Sequence, residues 1–246
     1  MKHFFLMVIF VCFFLPQVVW SQLDLSTAEM YFQQEAYTEV IKVLEPLKDQ
    51  DLDVSAIEML GDAYSYTLAW DRSIKEYNKL VGLHPDSANY HYKLGGALAM
   101  KALTVNKLLA LPLVFEAKDE FLKASALDTN HINSRWALVK IYMELPGILG
   151  GSKTKALQFA EELEALSNVD GYLCKGYIYE LDKDYEQAEL YYKRAVEVGG
   201  SKLCYTSLSE FYLKQNETDK AIRVLKAGYN QLQDEEFQQK LAEISQ

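Results

Sequence analysis

Residues Ala56–Tyr66 read AIEMLGDAYSY, and the stretches DRSIKEYNKL (Asp71–Leu80) and LHPDS (Leu83–Ser87) come next. In the first, Ile57, Leu60, Gly61 and Tyr64 recur at helical spacing; in the second, Ile74, Tyr77 and Leu80 do the same. Two amphipathic helices are therefore expected in succession. Pro85 stops the second, and Asp86 or Ser87 is placed to cap the next helix. A glycine at position 61 suits two helices that approach closely where they cross, as do Gly95, Gly176 and Ala188.

The pattern repeats along the chain. A small or apolar residue is followed three later by an aromatic at Ala28/Tyr31, Gly61/Tyr64, Val139/Tyr142, Gly176/Tyr179 and Ser209/Tyr212, with Gly95/Leu98 in the remaining place. Steps between the leading residues are 33, 34, 44, 37 and 33. A second series lies 12 residues after the first at Val40, Ser73, Ala188 and Ala221, and further downstream at Ala117 and Ala156 in the two long units. Two registers with one period indicate an array of helix pairs.

These residues resemble the tetratricopeptide repeat, whose pattern W-x2-L-G-x2-Y, then A-x3-F, then P is met by Ile57, Leu60, Gly61, Tyr64, Ser73, Tyr77 and Pro85. The unit with Gly176, Tyr179, Tyr185, Ala188, Tyr192 and Ala195 is nearly as close. Ile57 replaces the tryptophan and Ser73 the alanine, and neither change threatens helical packing. The resemblance covers about six units from Gln22 to near Gln231. It implies an all-α fold, a right-handed α-solenoid of helix-turn-helix units, with a final helix from about Asp234 to Ile244 capping the apolar end.

The resemblance also implies a concave groove lined by the first helix of each unit, which in this family commonly binds an extended peptide or a partner helix. The family's register places Glu58, Asp62 and Tyr66 there, then Tyr92, then Trp136 and Lys140, then Tyr177 and Glu180, then Glu210. Aromatics interleaved with carboxylates favour a neutral or basic protein partner with apolar side chains. The alternative is that about half of these aromatics pack between units. Chaperone-binding members clamp a carboxylate terminus with Lys and Asn, whereas the matching places here hold Leu25 and Glu29, so an acidic C-terminal tail is a poor ligand.

Two units exceed the family period. One has an insertion near 99–113, contains KALTVNKLLALPLVFEAK (Lys101–Lys118), and is expected to lengthen its first helix before Pro112. The other, near 145–154, carries LPGILGGSKTKA (Leu145–Ala156), which resembles an insertion in exported bacterial repeat proteins. Insertions in such arrays usually emerge as loops on one face. GILGGSKT, Gly147–Thr154, is one residue short of the phosphate-binding G-x-x-x-x-G-K-[S/T], with Ser152 at the second glycine. A working version follows a β-strand, yet INSRWALVKIYMEL (Ile132–Leu145) reads as a helix, and no strand ending in aspartate is present to hold magnesium. Pro146 ending one helix, glycines in the turn and Ser152 or Thr154 capping the next account for the same residues. Gly150, Gly151, Ser152, Lys153 and Thr154 remain a possible anion or contact loop.

Residues Met1–Ser21 have Lys2, an apolar run from Phe4 to Leu15, and Val19 and Ser21 before an expected cut, the form of a secretory signal peptide. An uncleaved anchor is the alternative, although Phe4–Trp20 is short for a span of about 20 residues. The expected mature domain is 22–246. Without Lys2, 24 Lys and Arg oppose 35 Asp and Glu, a net charge of −11. Nucleic acid and anionic lipid surfaces are repelled by such a balance. Cys174 and Cys204 are too few for a disulfide framework and are either bridged or two buried thiols. His3, His84, His91 and His131 form no metal-ligand spacing, and no serine or cysteine motif marks a nucleophile. No catalytic residue, metal or cofactor is expected. The sequence thus points to an exported interaction scaffold or assembly factor, periplasmic or secreted. The alternatives are a hydrolase or nucleotide-binding protein using Gly147–Thr154 and a self-associating structural oligomer.

Overall fold

Short polar side chains start most of the helices. Asp53 accepts the backbone N–H of Ala56 at 2.8 Å, and Ser87, Ser152, Ser167 and Ser201 each accept from the residue three later. Each such contact satisfies one of the N–H groups that a helix start leaves without an intrahelical partner. The computed structural model describes residues 25–47 and 52–244. The expected signal peptide, Met1–Ser21, lies outside the described residues, in which every element is helical.

The chain divides into two units at Leu127/Asp128. The N-terminal unit holds α1 (25–33), α2 (Tyr37–Leu44), α3 (Val54–Tyr66), α4 (Trp70–Leu83), α5 (Ala88–Thr104) and α6 (Lys107–Leu127). The C-terminal unit holds α7 (Ile132–Glu144), α8 (Lys153–Leu166), α9 (Asn168–Leu181), α10 (Tyr185–Gly199), α11 (Lys202–Lys214), α12 (Thr218–Leu232) and α13 (Glu235–Ile244). Within each unit consecutive helices pack on one another, and in the second α9 also touches both α7 and α11. The fold is the all-α helical-repeat class expected, three pairs in each unit, with α13 closing the second.

The pairs close because glycine leaves room for an aromatic ring. A Cβ at Gly61 would stand 2.8 Å from the Tyr77 ring, one at Gly95 2.9 Å from Phe121, and one at Gly176 2.7 Å from Tyr192. Around these crossings Leu60, Ala63 and Tyr64 are buried in the first unit, and Ala188, Cys204, Leu208 and Phe211 in the second. Cys174 and Cys204 are both buried and unbridged, so the open choice between a bridge and two thiols falls to the thiols.

Four turns inside pairs share one geometry. Glu35, Leu68, Lys183 and Asn216 all have φ between 57 and 63°. The residue after each donates its N–H to a carbonyl five back, as Ala69 does to Tyr64 at 2.8 Å and Glu217 to Tyr212 at 2.9 Å. This left-handed helix end satisfies carbonyls that would otherwise lack donors.

The two insertions depart from that turn in different ways. The first lengthens the leading helix, as expected, but only to Thr104: α5 has 17 residues against 13 in α3, the chain breaks at Val105–Asn106, and Pro112 lies inside α6. Asn106 decides this, because its Oδ1 accepts from both Leu108 and Leu109 at 3.1 Å and starts a helix there. Pro112, the sixth residue of α6, leaves the Leu108 carbonyl without its i+4 donor. The second insertion is a loop with a short 3-10 turn at Gly147–Leu149.

Candidate functional site

Three first helices and one second helix of the C-terminal unit line a cavity of about 380 Å³. α7 contributes Trp136 and Lys140, α9 Leu173, Tyr177 and Glu180, α10 Tyr192, and α11 Leu203, Ser207, Glu210 and Lys214. Trp136 and Lys140 are four residues apart on one helix, as Leu173 and Tyr177 are, so each pair faces the same side. Five of the groove residues read from the sequence, Trp136, Lys140, Tyr177, Glu180 and Glu210, are thereby brought to one place.

The polar atoms of Trp136, Tyr177, Glu180 and Glu210 are tied to neighbouring repeats. Trp136 Nε1 donates to Asp170 at 2.8 Å, and Tyr177 donates to Glu144 at 3.0 Å. Glu180 accepts from Tyr192 at 2.8 Å and from Lys214 at 2.7 Å, while Glu210 accepts from Lys240 at 3.2 Å. The sequence separations of these inter-repeat pairs lie between 30 and 34, the repeat period itself; Tyr192 to Glu180, within one pair, is the exception at 12. Burial, with Glu144 beside Tyr177 and Glu180 beside Tyr192, holds both phenols well above the usual tyrosine range. They therefore stay neutral donors. Burial likewise pushes the Cys174 thiol up, which leaves it an unreactive core group.

The N-terminal unit repeats this pairing. Lys93 of α5 donates to Glu58 at 2.6 Å and to both oxygens of Asp62 at 2.8 and 2.7 Å. Tyr90 also donates to Glu58, and Tyr77 to Asp62. Burial opposes the Lys93 charge, but its hydrogen bonds to Asp62 and Glu58 outweigh burial and raise its pKa. Tyr66 stacks on Tyr37 with ring centres 4.1 Å apart, and Tyr92 leans on Phe121 at 5.8 Å. Tyr92 is partly buried by this contact, whereas Tyr66 keeps 61% of its surface exposed beside its stacking partner.

The sequence reading overlooked Lys93, Lys214 and Lys240. Their signal was present: each stands about one repeat period after an acidic groove residue, so stacking sets them side by side. His131, read from the sequence only as lacking metal-ligand spacing, is a helix cap. Its Nδ1 accepts from the Ser134 N–H at 3.1 Å and starts α7, and burial lowers its pKa.

In the Gly147–Thr154 loop the backbone donors turn inward. Leu149 and Gly151 donate to Pro146, Gly150 to Gly147 and Ser152 to Tyr142. Gly150 has φ 92°, and a side chain at Gly151 would collide with the Leu145 carbonyl. Lys153 pairs with Asp182 and lies 5.0 Å from the Tyr179 ring centre, and Lys155 lies 5.4 Å from that of Tyr142. No set of N–H groups converges on a phosphate in this arrangement, and Ser152 is the cap of α8. Among the described residues no cluster of three or more His, Cys, Asp or Glu is placed to hold a metal ion, and no helix is long and apolar enough to cross a membrane.

No family model and no curated protein matches the sequence. Solved structures do resemble the fold. The crystal structure of the MamA protein is 21% identical and covers 72% of this chain and 91% of its own, with TM-score 0.56. A thermophilic TPR protein of Thermus thermophilus is 16% identical over 78% of this chain and 99% of its own, with TM-score 0.60. A tetratricopeptide repeat protein from Parabacteroides merdae is 9% identical over 86% of this chain and 79% of its own, with TM-score 0.65. At these identities the likeness is one of architecture, and the chain shares the helical-repeat fold of tetratricopeptide repeat proteins.

Proposed function

We propose that the protein is an exported interaction scaffold or assembly factor, working in the periplasm or outside the cell, whose C-terminal unit receives a peptide or partner helix in the Trp136–Lys214 cavity. The observation that carries this reading is the convergence of Trp136, Lys140, Tyr177, Glu180 and Glu210 from three successive first helices around about 380 Å³ of open space. Indole, phenol and leucine surfaces supply contact area, and their polar atoms are already satisfied, so an apolar side chain enters without stranding a donor. The charge of the wall narrows the partner. Glu180 and Glu210 are compensated by Lys214 and Lys240, which removes most of the selection for a basic ligand and makes a neutral segment with an apolar anchor the best fit.

The test uses Trp136 as a reporter in a Trp70→Phe background of the chain from Gln22. Peptides selected by display against the protein are expected to shift Trp136 emission. Their affinity should fall at least about tenfold in Tyr177→Ala and Leu203→Ala, whose helicity should match the parent. Selected peptides that bind both variants unchanged and leave Trp136 emission untouched would place binding elsewhere.

A further inference from the structure

The lengthened α5–α6 hairpin ends in apolar side chains that no other described element covers. Leu103, Leu108 and Leu109 are 76, 81 and 58% exposed, and Met100 lies one turn below Leu103 with 43% exposed. α5 has 17 residues and α6 has 21, against 13 in α3 and 14 in α4. At ~1.5 Å per residue the hairpin overhangs the neighbouring pair by about 6 to 10 Å. An overhang tipped with leucine is costly in water and needs an occupant.

The charge around the tip differs from that of the chain. No Asp or Glu occurs from Ser87 to Phe115, although the chain carries 35 of them. Lys101 is held by Asp71, while Lys107 stands exposed within the tip and pairs with no acidic group among the described residues. Asp71, exposed beside the tip, is neutralised by Lys101, and Glu116 lies eight residues beyond Leu108, about 12 Å along the helix, farther than a physiological screening length of about 8 Å. The repulsion that the net charge implies for the whole molecule is therefore weak at this point.

From this geometry we infer that the α5–α6 tip is a phospholipid-surface contact, with Leu103, Leu108 and Leu109 inserted among the acyl chains and Lys107 at the headgroup phosphates. Three leucines on a narrow tip fall far short of the roughly 800 Å² that each partner gives to a stable protein interface. A bilayer requires no shape complementarity and admits apolar side chains to a depth of about 5–10 Å, the length of the overhang. The lysine stem reaches from that depth to the phosphate level. The site is separate from the cavity of the C-terminal unit and does not depend on it.

Co-sedimentation with phosphatidylcholine–phosphatidylglycerol vesicles tests the inference, with the chain from Gln22 so that the apolar leader contributes nothing. The parent chain is expected to sediment with vesicles. The variant Leu103→Ser/Leu108→Ser/Leu109→Ser is expected to lose at least about tenfold in partitioning, and Lys107→Glu about fivefold or more. All three side chains of the triple variant are exposed, so its circular dichroism should equal that of the parent. Failure of the parent to sediment, or equal sedimentation of the triple variant, overturns the inference. So does light scattering that shows a dimer lost in the triple variant without vesicle binding, which would assign the tip to a second copy of the chain.

Discussion

Gly95 and Gly96 are adjacent on α5 and face opposite requirements. A Cβ at Gly95 would stand 2.9 Å from two ring atoms of Phe121 and 3.1 Å from the Ala117 carbonyl oxygen, whereas one at Gly96 meets nothing within 4 Å. Gly95→Ala is therefore expected to cost about 1–3 kcal/mol of overpacking, more than the ~1 kcal/mol that alanine gains in a helix. Gly96→Ala should stabilise by about 0.5–1 kcal/mol. Paired thermal melts decide between these signs, and equal shifts would refute the crossing role assigned to Gly95. The need for glycine at 95 was legible, because Gly61, Gly95 and Gly176 share one repeat register. The freedom at Gly96 was not, since it depends on which way the helix faces its neighbour.

At the scale of elements, inter-repeat pairs hold successive helices together. Glu189 of α10 accepts from Tyr212 of α11 at 2.8 Å and pairs with Lys220 of α12 at 3.4 Å and Lys193 at 2.6 Å. Burial works against its charge, yet the hydrogen bonds from Lys193 and Tyr212 prevail and hold its pKa below the ordinary 4.5. A carboxylate whose folded pKa is depressed contributes stability that is present above the unfolded value and lost as pH falls through the folded one. Glu189→Gln should thus lower the urea midpoint near neutral pH, with the gap from the parent closing as pH falls below the ordinary 4.5 and through the lower folded pKa. A gap of constant size across that window would show that Glu189 does not carry the linkage. The helices themselves were readable from spacing and caps. The break at Asn106 was not, because a capping side chain overrode an apolar run that continues through it.

At the scale of the molecule, each unit has its own buried cluster, and the second ends in a cap. Phe237 of α13 is 1% exposed, packs against Tyr205 at 6.2 Å and fills the space over Gly228. Repeat arrays are stabilised mainly by nearest-neighbour interfaces, so loss at an end is felt locally first. Phe237→Ala is expected to cost about 3–5 kcal/mol and to release α11–α13 in hydrogen exchange before α7–α10. Uniform loss of protection across α7–α13 would mean that the second unit unfolds as one block.

The helices apart from the break at Asn106, their pairing, the repeat period and the capping helix were written in the chain, because a 3.6-residue apolar rhythm and glycine at a crossing are local demands that repeat. The contacts of the polar side chains between repeats were not. Glu58, Asp62, Glu180 and Glu210 read as an acidic surface when counted along the chain. Stacking at the repeat period sets Lys93, Lys214 and Lys240 against them, and that pairing exists only once neighbouring helices lie side by side. Packing also set Trp136 and Tyr177 around a cavity and Tyr92 against the Phe121 ring, while Tyr66 stacks on Tyr37 and stays 61% exposed, since the direction of a side chain is fixed by its neighbours rather than by its register.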